Sequence, residues 1–322
     1  MKAVQIHATG GFEVLQQVEI ATPVPEVGEV LMEVAAIGVN YIENYFRDGR
    51  YKAALPLTLG MEAAGTVVAL GDGVKEFAVG DRVVSAAVRG AYAEYARVPA
   101  AQLVRVPDSL DLRAAAAVFL QGMTAHYLAY STYPLKMGET ALIHAAAGGV
   151  GLLLTQMAHR IGARVIATVS TAEKATLARA AGGDEVILYT EKDFVAETRR
   201  LTEGRGVDVV YDSVGKTTFE GSLDCLRPRG LLALFGASSG AVPPFDPILL
   251  NGKGSLYVTR PTLAHYVLTQ EELEWRAGDV LSWVTEGTLH LRMEHTYALN
   301  EARQALMDIA SRKTSGKLLL IP

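Results

Sequence analysis

The chain has 322 residues, 50% of them apolar, and a formal net charge of −5. This length is enough for two domains that each bury a full core, and the lack of any long run of like charges argues against nucleic acid or an anionic membrane as the ligand. A single cysteine, Cys225, excludes intrachain disulfides and thiolate zinc clusters.

The opening stretch MKAVQIHATGGFEVL alternates instead of forming the continuous apolar core of a leader, and no apolar run approaches the ~20 residues that span a bilayer. A reduced, cytoplasmic protein acting on a small soluble molecule is the expectation. Residues 1–120 read as strands and turns. Gly28 to Val39 carries alternating apolar positions, Gly65 to Leu70 runs into the turn Gly71-Asp72-Gly73, and Val79 to Val84 gives another turn and strand.

From about Thr124 the rhythm changes to strand, helix, strand. Ala141 to His144 is a short apolar strand, and Leu152 to Ala158 has helical spacing. Then follow a strand at Arg164 to Val169, a helix at Ala172 to Ala181, a strand at Glu185 to Tyr189, a helix at Asp193 to Thr202, and strands at Val207 to Asp212 and Gly230 to Gly236. This alternation implies parallel βαβ units in a doubly wound sheet. Cys225, flanked by Leu223 and Leu226, reads as a buried thiol on an inward helix face. Beyond Pro261 come helical stretches at Glu271 to Glu286 and Asn300 to Ala310, then the strand-like Leu318 to Ile321.

In HAAAGGVG, residues 144–151, Ala146, Gly148 and Gly151 fall where a dinucleotide fold has its three glycines, with alanine in the first place. The middle glycine lets backbone approach a pyrophosphate, the last packs helix closely on strand, and the helix N-terminus supplies N–H groups and a positive dipole. A turn that only packs a helix on a sheet is the alternative; the strand before it and the helix after it favour the nucleotide. The tip of the second strand, Thr168-Val169-Ser170-Thr171-Ala172-Glu173-Lys174, lacks the carboxylate that accepts from the ribose of NAD. The hydroxyls of Ser170 and Thr171 with the charge of Lys174 suit the extra phosphate of NADPH. Ser170 to Glu173 also reads as a helix capping box.

Several motifs in order now carry a family resemblance: Ala36 to Tyr41, Leu59 to Gly65, Gly80-Asp81-Arg82-Val83, His144 to Gly151, Val210 to Gly215 and Gly254 to Pro261. The chain resembles a medium-chain dehydrogenase/reductase of the zinc-independent, zeta-crystallin-like quinone oxidoreductase group. The resemblance implies an α/β architecture: a GroES-like β-rich catalytic domain from residues 1–120 and 262–322, and a Rossmann domain with a doubly wound parallel sheet from residues 121–261. It also implies a homodimer joined through the Rossmann sheets. Where zinc-dependent relatives carry histidine this chain has Met61, and their early cysteine region reads Gly38-Val39-Asn40-Tyr41. A thioether and an amide do not replace imidazole and thiolate, and the seven histidines show no ligand spacing.

By the same resemblance Asn40, Tyr45, Tyr51 and Arg260 form the catalytic set, with Tyr51 orienting or protonating the acceptor oxygen. Cofactor contacts are implied at Asn40, Thr124, Tyr127, Gly149, Val150, Ser170, Thr171, Lys174, Tyr189, Ser213, Val214, Phe235, Gly236, Ala237, Ser238 and Lys317. The implied activity is NADPH-dependent reduction of a quinone, since a quinone accepts hydride without a Lewis acid whereas alcohol oxidation needs one. Two alternatives stand beside it. One is an NADPH-dependent enone or alkenal reductase; the other, of a different class, is an RNA-binding or crystallin-like protein, against which the acidic balance argues.

Overall fold

Alternating apolar positions near the N-terminus fold as β1 (Lys2–Ile6), β2 (Gln16–Glu19) and β3 (Glu29–Val39) in the computed structural model, which describes residues 1–311 and 314–322. A short helix, α1 (Ile42–Arg47), follows β3 directly. The strands β4 (Leu57–Thr58), β5 (Ala63–Leu70), β6 (Arg82–Ser85), β7 (Tyr95–Pro99) and β8 (Val104–Arg105) come next, then helix α2 (Leu112–Tyr127). Two compact units result, one from Met1–Gln121 with Thr269–Pro322 and the other from Gly122–Leu268.

In the first unit β2, β1 and β4 form a small sheet. The larger seven-stranded sheet runs β15-β16-β3-β5-β6-β8, with β7 also on β3; β15 (His295–Ala298) and β16 (Leu318–Ile321) come from the second segment. Leu318 to Leu320 of β16 pair antiparallel with Val39 to Ile37, so residues far apart in sequence share one core of Met32, Ile37, Val83, Tyr92, Leu306 and Leu320. Helix α8 (Gln270–Thr285) precedes β15, and α9 (Ala302–Ser311) runs between β15 and β16 and packs on both. The strand β15 falls where the sequence shows no strand period.

The second unit alternates as the sequence predicts through β9 (Thr140–Ile143), α3 (Gly149–Ile161), β10 (Arg164–Val169), α4 (Ala172–Ala180), β11 (Glu185–Leu188), α5 (Phe194–Leu201), β12 (Val207–Asp212), α6 (Phe219–Cys225) and β13 (Leu226–Leu234), and then adds α7 (Ile248–Gly252) and β14 (Tyr257–Thr259), which the sequence reading does not contain. All pairs are parallel in the order β11-β10-β9-β12-β13-β14. That order reverses between β9 and β12, the place where open α/β sheets hold ligands beyond the strand C-termini. Every residue of β9 and β12 is buried, as expected for strands covered on both faces. Cys225 is buried at the end of α6, and burial pushes its thiol up to about 12, so it is inert.

Helix ends follow local capping chemistry. Asp193 caps α5 through the Val195 and Ala196 amides, and Thr269 caps α8. One expectation is corrected: α4 is not capped by Ser170 with Glu173. Thr171 is the extended cap residue and its hydroxyl accepts from the Lys174 amide, so the helix begins one residue later and Lys174 takes the third helical position. Among the described residues no helix is long and apolar enough to cross a membrane.

Candidate functional site

At the C-terminal end of β9 the chain turns through residues 144–148 into α3. The turn needs one left-handed residue, and it is Ala145 (φ 51°), with Ala146 in an ordinary conformation. The first place of the glycine pattern therefore tolerates alanine here. Gly151 has no such freedom, because a Cβ there would overlap the Ala145 carbonyl oxygen and press on the Ala146 backbone. No side chain caps α3, so the amides of its first turn, at half-buried Gly149 and Val150, face outward as an anion-binding end.

The other strand ends of this unit gather around that turn. Beyond β10 lie Ser170, the cap Thr171 and half-buried Lys174; Tyr189 is tied beside them, its amide donating to the Val169 carbonyl (3.1 Å) while the Thr190 hydroxyl donates to the Ser170 carbonyl (3.0 Å). Beyond β12 and β13 two loops are laced together. The amides of Phe235 and Gly236 donate to the Asp212 carbonyl, and that of Ser238 to the Ser213 carbonyl (3.1 Å). Gly236 is required, since a Cβ would overlap the Ser213 backbone. Ser213, Val214, Phe235, Gly236, Ala237 and Ser238 thus form one wall. Arg260, just past β14, donates to the Leu234 carbonyl (2.7 Å). On α2, Thr124 is half-buried, and Tyr127 is buried with its ring stacked on Tyr266 at 4.4 Å.

The first unit holds the remaining expected residues in two groups. Tyr45 and Tyr51 touch through their rings (5.2 Å between centroids), and the Tyr51 amide donates to the Tyr45 carbonyl; Tyr45 is buried and Tyr51 is 40% exposed. Asn40, immediately after β3, belongs to a buried polar cluster. Its Oδ1 accepts from Lys317 Nζ (2.8 Å), and its Nδ2 donates to Glu62 Oε2 (2.8 Å). Lys317 Nζ also meets Glu62 Oε2 (2.5 Å), and Glu62 Oε1 accepts from the Leu120 amide. Lys317 is 3% exposed and Glu62 fully buried. Gly38 makes this approach feasible, since a Cβ there would overlap the Glu62 carboxylate.

A second buried carboxyl, Glu43, accepts from the Asn40 amide (2.8 Å) through Oε2, while its Oε1 has no partner. Burial pushes Glu43 up to about 8 against the pull of Lys317, so near neutrality it holds its proton and leaves the ammonium to Glu62. The sequence motifs do not single out Glu43 or Glu62 for any role. The available signal is an acid within the otherwise small and apolar Leu59 to Gly65, which must find a cation when buried.

Residues 26–108 match the alcohol dehydrogenase GroES-like domain and residues 149–281 the family described as zinc-binding dehydrogenase. Quinone oxidoreductase of Pseudomonas aeruginosa is 45% identical over 100% of this chain and 99% of its own length. The 2-haloacrylate reductase of a Burkholderia species is 41% identical over 99% and 98%. The crystal structure of Escherichia coli quinone oxidoreductase complexed with NADPH superposes with a TM-score of 0.98 at 45% identity, covering 100% of both chains.

The residues present do not fit the zinc that the second family description implies. Asn40 and Met61 bring an amide and a thioether, and the amide oxygen of Asn40 already binds an ammonium, whose charge opposes a metal cation. With both domain families matched in order and full-length relatives at this identity, the chain belongs to the zinc-independent quinone oxidoreductase group of the medium-chain dehydrogenases/reductases.

Proposed function

We propose that the protein is an NADPH-dependent quinone oxidoreductase. The observation that carries this reading is the strand-end constellation of the Gly122–Leu268 unit: an uncapped helix N-terminus behind a glycine turn, and a strand tip bearing Ser170, Thr171 and Lys174 with no acid directed at a ribose. The amides at Gly149 and Val150 receive the pyrophosphate, and Lys174 with the two hydroxyls receives the ribose phosphate. Tyr189, Ser213, Val214 and Phe235 to Ser238 flank the bound molecule, with Thr124, Tyr127 and Arg260 as further contacts. NADPH, when bound, supplies the reducing equivalents.

Asn40, Tyr45, Tyr51 and Lys317 serve the acceptor side. Lys317 has three N–H donors and uses two of them on Asn40 and Glu62. The third would serve the cofactor or a developing oxyanion, a contact that strengthens as charge appears on the acceptor. Tyr51, the exposed member of its ring pair, orients the acceptor oxygen or passes it a proton. We place the enzyme in the cytoplasm as a homodimer.

Consumption of NADPH is to be followed with a benzoquinone, a phenanthrenequinone and a short enone in parallel. Turnover of the quinones is expected, and inactivity toward all of them sinks the proposal. Preference for the activated alkene selects the second reading, which the 41% identity to 2-haloacrylate reductase supports. In the same assay Lys174→Ala should raise the KM for NADPH by about 1.5–3 kcal/mol more than that for NADH. Equal effects on both cofactors remove Lys174 from the phosphate.

A further inference from the structure

His144 follows β9 and opens the glycine turn, and its side chain is buried inside the unit. It is 2% exposed, with Nδ1 2.9 Å from Thr168 Oγ1 and Nε2 3.1 Å from Ser222 Oγ. Ser222 Oγ donates in turn to Asp212 Oδ2 (2.8 Å), which also accepts from the Thr218 hydroxyl (2.7 Å). The second oxygen of Asp212 accepts from the amides of Val214 (2.7 Å) and Gly215 (3.0 Å). Thr168, Asp212 and Ser222 are all essentially sealed from water. The four side chains come from β10, the residue after β9, β12 and α6.

The direction of every bond follows from what each group can do. Asp212 has oxygens only, so Ser222 and Thr218 donate to it. With its hydrogen on Asp212, Ser222 can only accept from His144, which places the ring proton on Nε2. The unprotonated Nδ1 then accepts from the Thr168 hydroxyl. Burial lowers the His144 pKa, against the pull of Asp212, and Phe194 lies edge-on at 5.0 Å. The ring is thus neutral and holds a single tautomer, and the chain runs one way from Thr168 to Asp212.

The two ends of this chain control backbone that a dinucleotide would touch. At one end the Thr168 carbonyl accepts from the Ala146 amide in the glycine turn (3.2 Å), and Ser170 follows two residues later. At the other, Asp212 shapes the loop through Ser213 and Val214, and its carbonyl holds Phe235 and Gly236. The His144 amide itself donates to the Tyr211 carbonyl (3.1 Å), so turn and loop are joined by backbone as well as side chain. A fully satisfied buried network stiffens the elements it links.

We propose that His144 is a positioning residue for the cofactor: through Thr168 on one side and Ser222 with Asp212 on the other, it sets the spacing between the glycine turn and the 213–215 loop before NADPH arrives. This rests on the reading of these loops as the NADPH site. Without the chain, binding would have to order both segments, and affinity would fall.

Thr168→Val removes the hydroxyl at nearly constant shape, Thr168→Ser keeps it, and Ser222→Ala cuts the far side of the ring. NADPH dissociation constants from nicotinamide fluorescence, kcat at saturating NADPH and thermal midpoints are measured for each. Thr168→Val and Ser222→Ala are expected to weaken NADPH about tenfold with kcat within about twofold, while Thr168→Ser binds like the parent. Parent-like affinity in both hydroxyl-deleted variants, whatever their thermal midpoints, reduces the chain to packing and overturns the proposal. So does a Thr168→Ser variant as weak as Thr168→Val, since retaining the hydroxyl would then fail to retain binding. Failure of the parent protein to bind NADPH overturns the cofactor reading and this inference with it.

Discussion

Glu43 is the residue whose chemistry departs most from its sequence. Folding moves its carboxyl from 4.5 to about 8 because burial disfavours the charge more than Lys317 favours it. Between those values the folded chain holds a proton that the unfolded chain has released, so this group makes stability fall as pH rises through that window. The full effect is at most about 5 kcal/mol. Urea midpoints of the parent are expected to drop from pH 5 to pH 8.5 (roughly the span of the window), and those of Glu43→Gln, which cannot ionise, to drop less. Parallel curves would remove Glu43 as the source. Nothing local in Tyr41-Ile42-Glu43-Asn44 announces this. The partners that define the environment of Glu43 are set by tertiary packing, and Lys317 lies 277 residues from Asn40. Lys174 and the glycines, in contrast, act on chain within a few residues of themselves, and their placement is legible from order alone.

At the scale of elements, legibility follows the range of the deciding interaction. The strands of the Gly122–Leu268 unit are buried on both faces and read as short apolar runs; their helices carry caps such as Asp193 that are complete within four residues. Two adjacent hydroxyls, Ser170 and Thr171, can each cap α4, and the Glu173 pattern favours the first; backbone geometry selects the second. Strands β4 and β8, two residues each, have too little length to show a period. Within the glycine turn, contacts distinguish the three positions. Gly151→Ala is expected to lower the thermal midpoint and to abolish measurable NADPH binding, because Cβ would push the Ala145 carbonyl and hence the whole turn away from α3. Parent-like binding by this variant would show that the turn shifts without cost. The first position needs no such contact, which is why Ala146 stands there.

For the whole molecule, the six-stranded sheet ends on β11 and β14, and β14 presents Tyr257 at 60% exposure. An open strand edge is a pairing surface, and the proposed homodimer would use it. Light scattering is expected to give twice the chain mass of 34.4 kDa, and a monomer at micromolar concentration would reject that assembly. The pairing of β16 with β3 has its own outcome during synthesis. A ribosome makes β3 early, then the entire Gly122–Leu268 unit, and only afterwards the strand that covers the edge of β3 and delivers Lys317 to Asn40 and Glu62. The inserted unit has all its strands while the first still lacks β15 and β16. Until translation reaches Leu318, the Ile37–Val39 end of β3 lacks its β16 neighbour and Glu62 lacks its ammonium, and that interval is when the nascent chain most needs a chaperone.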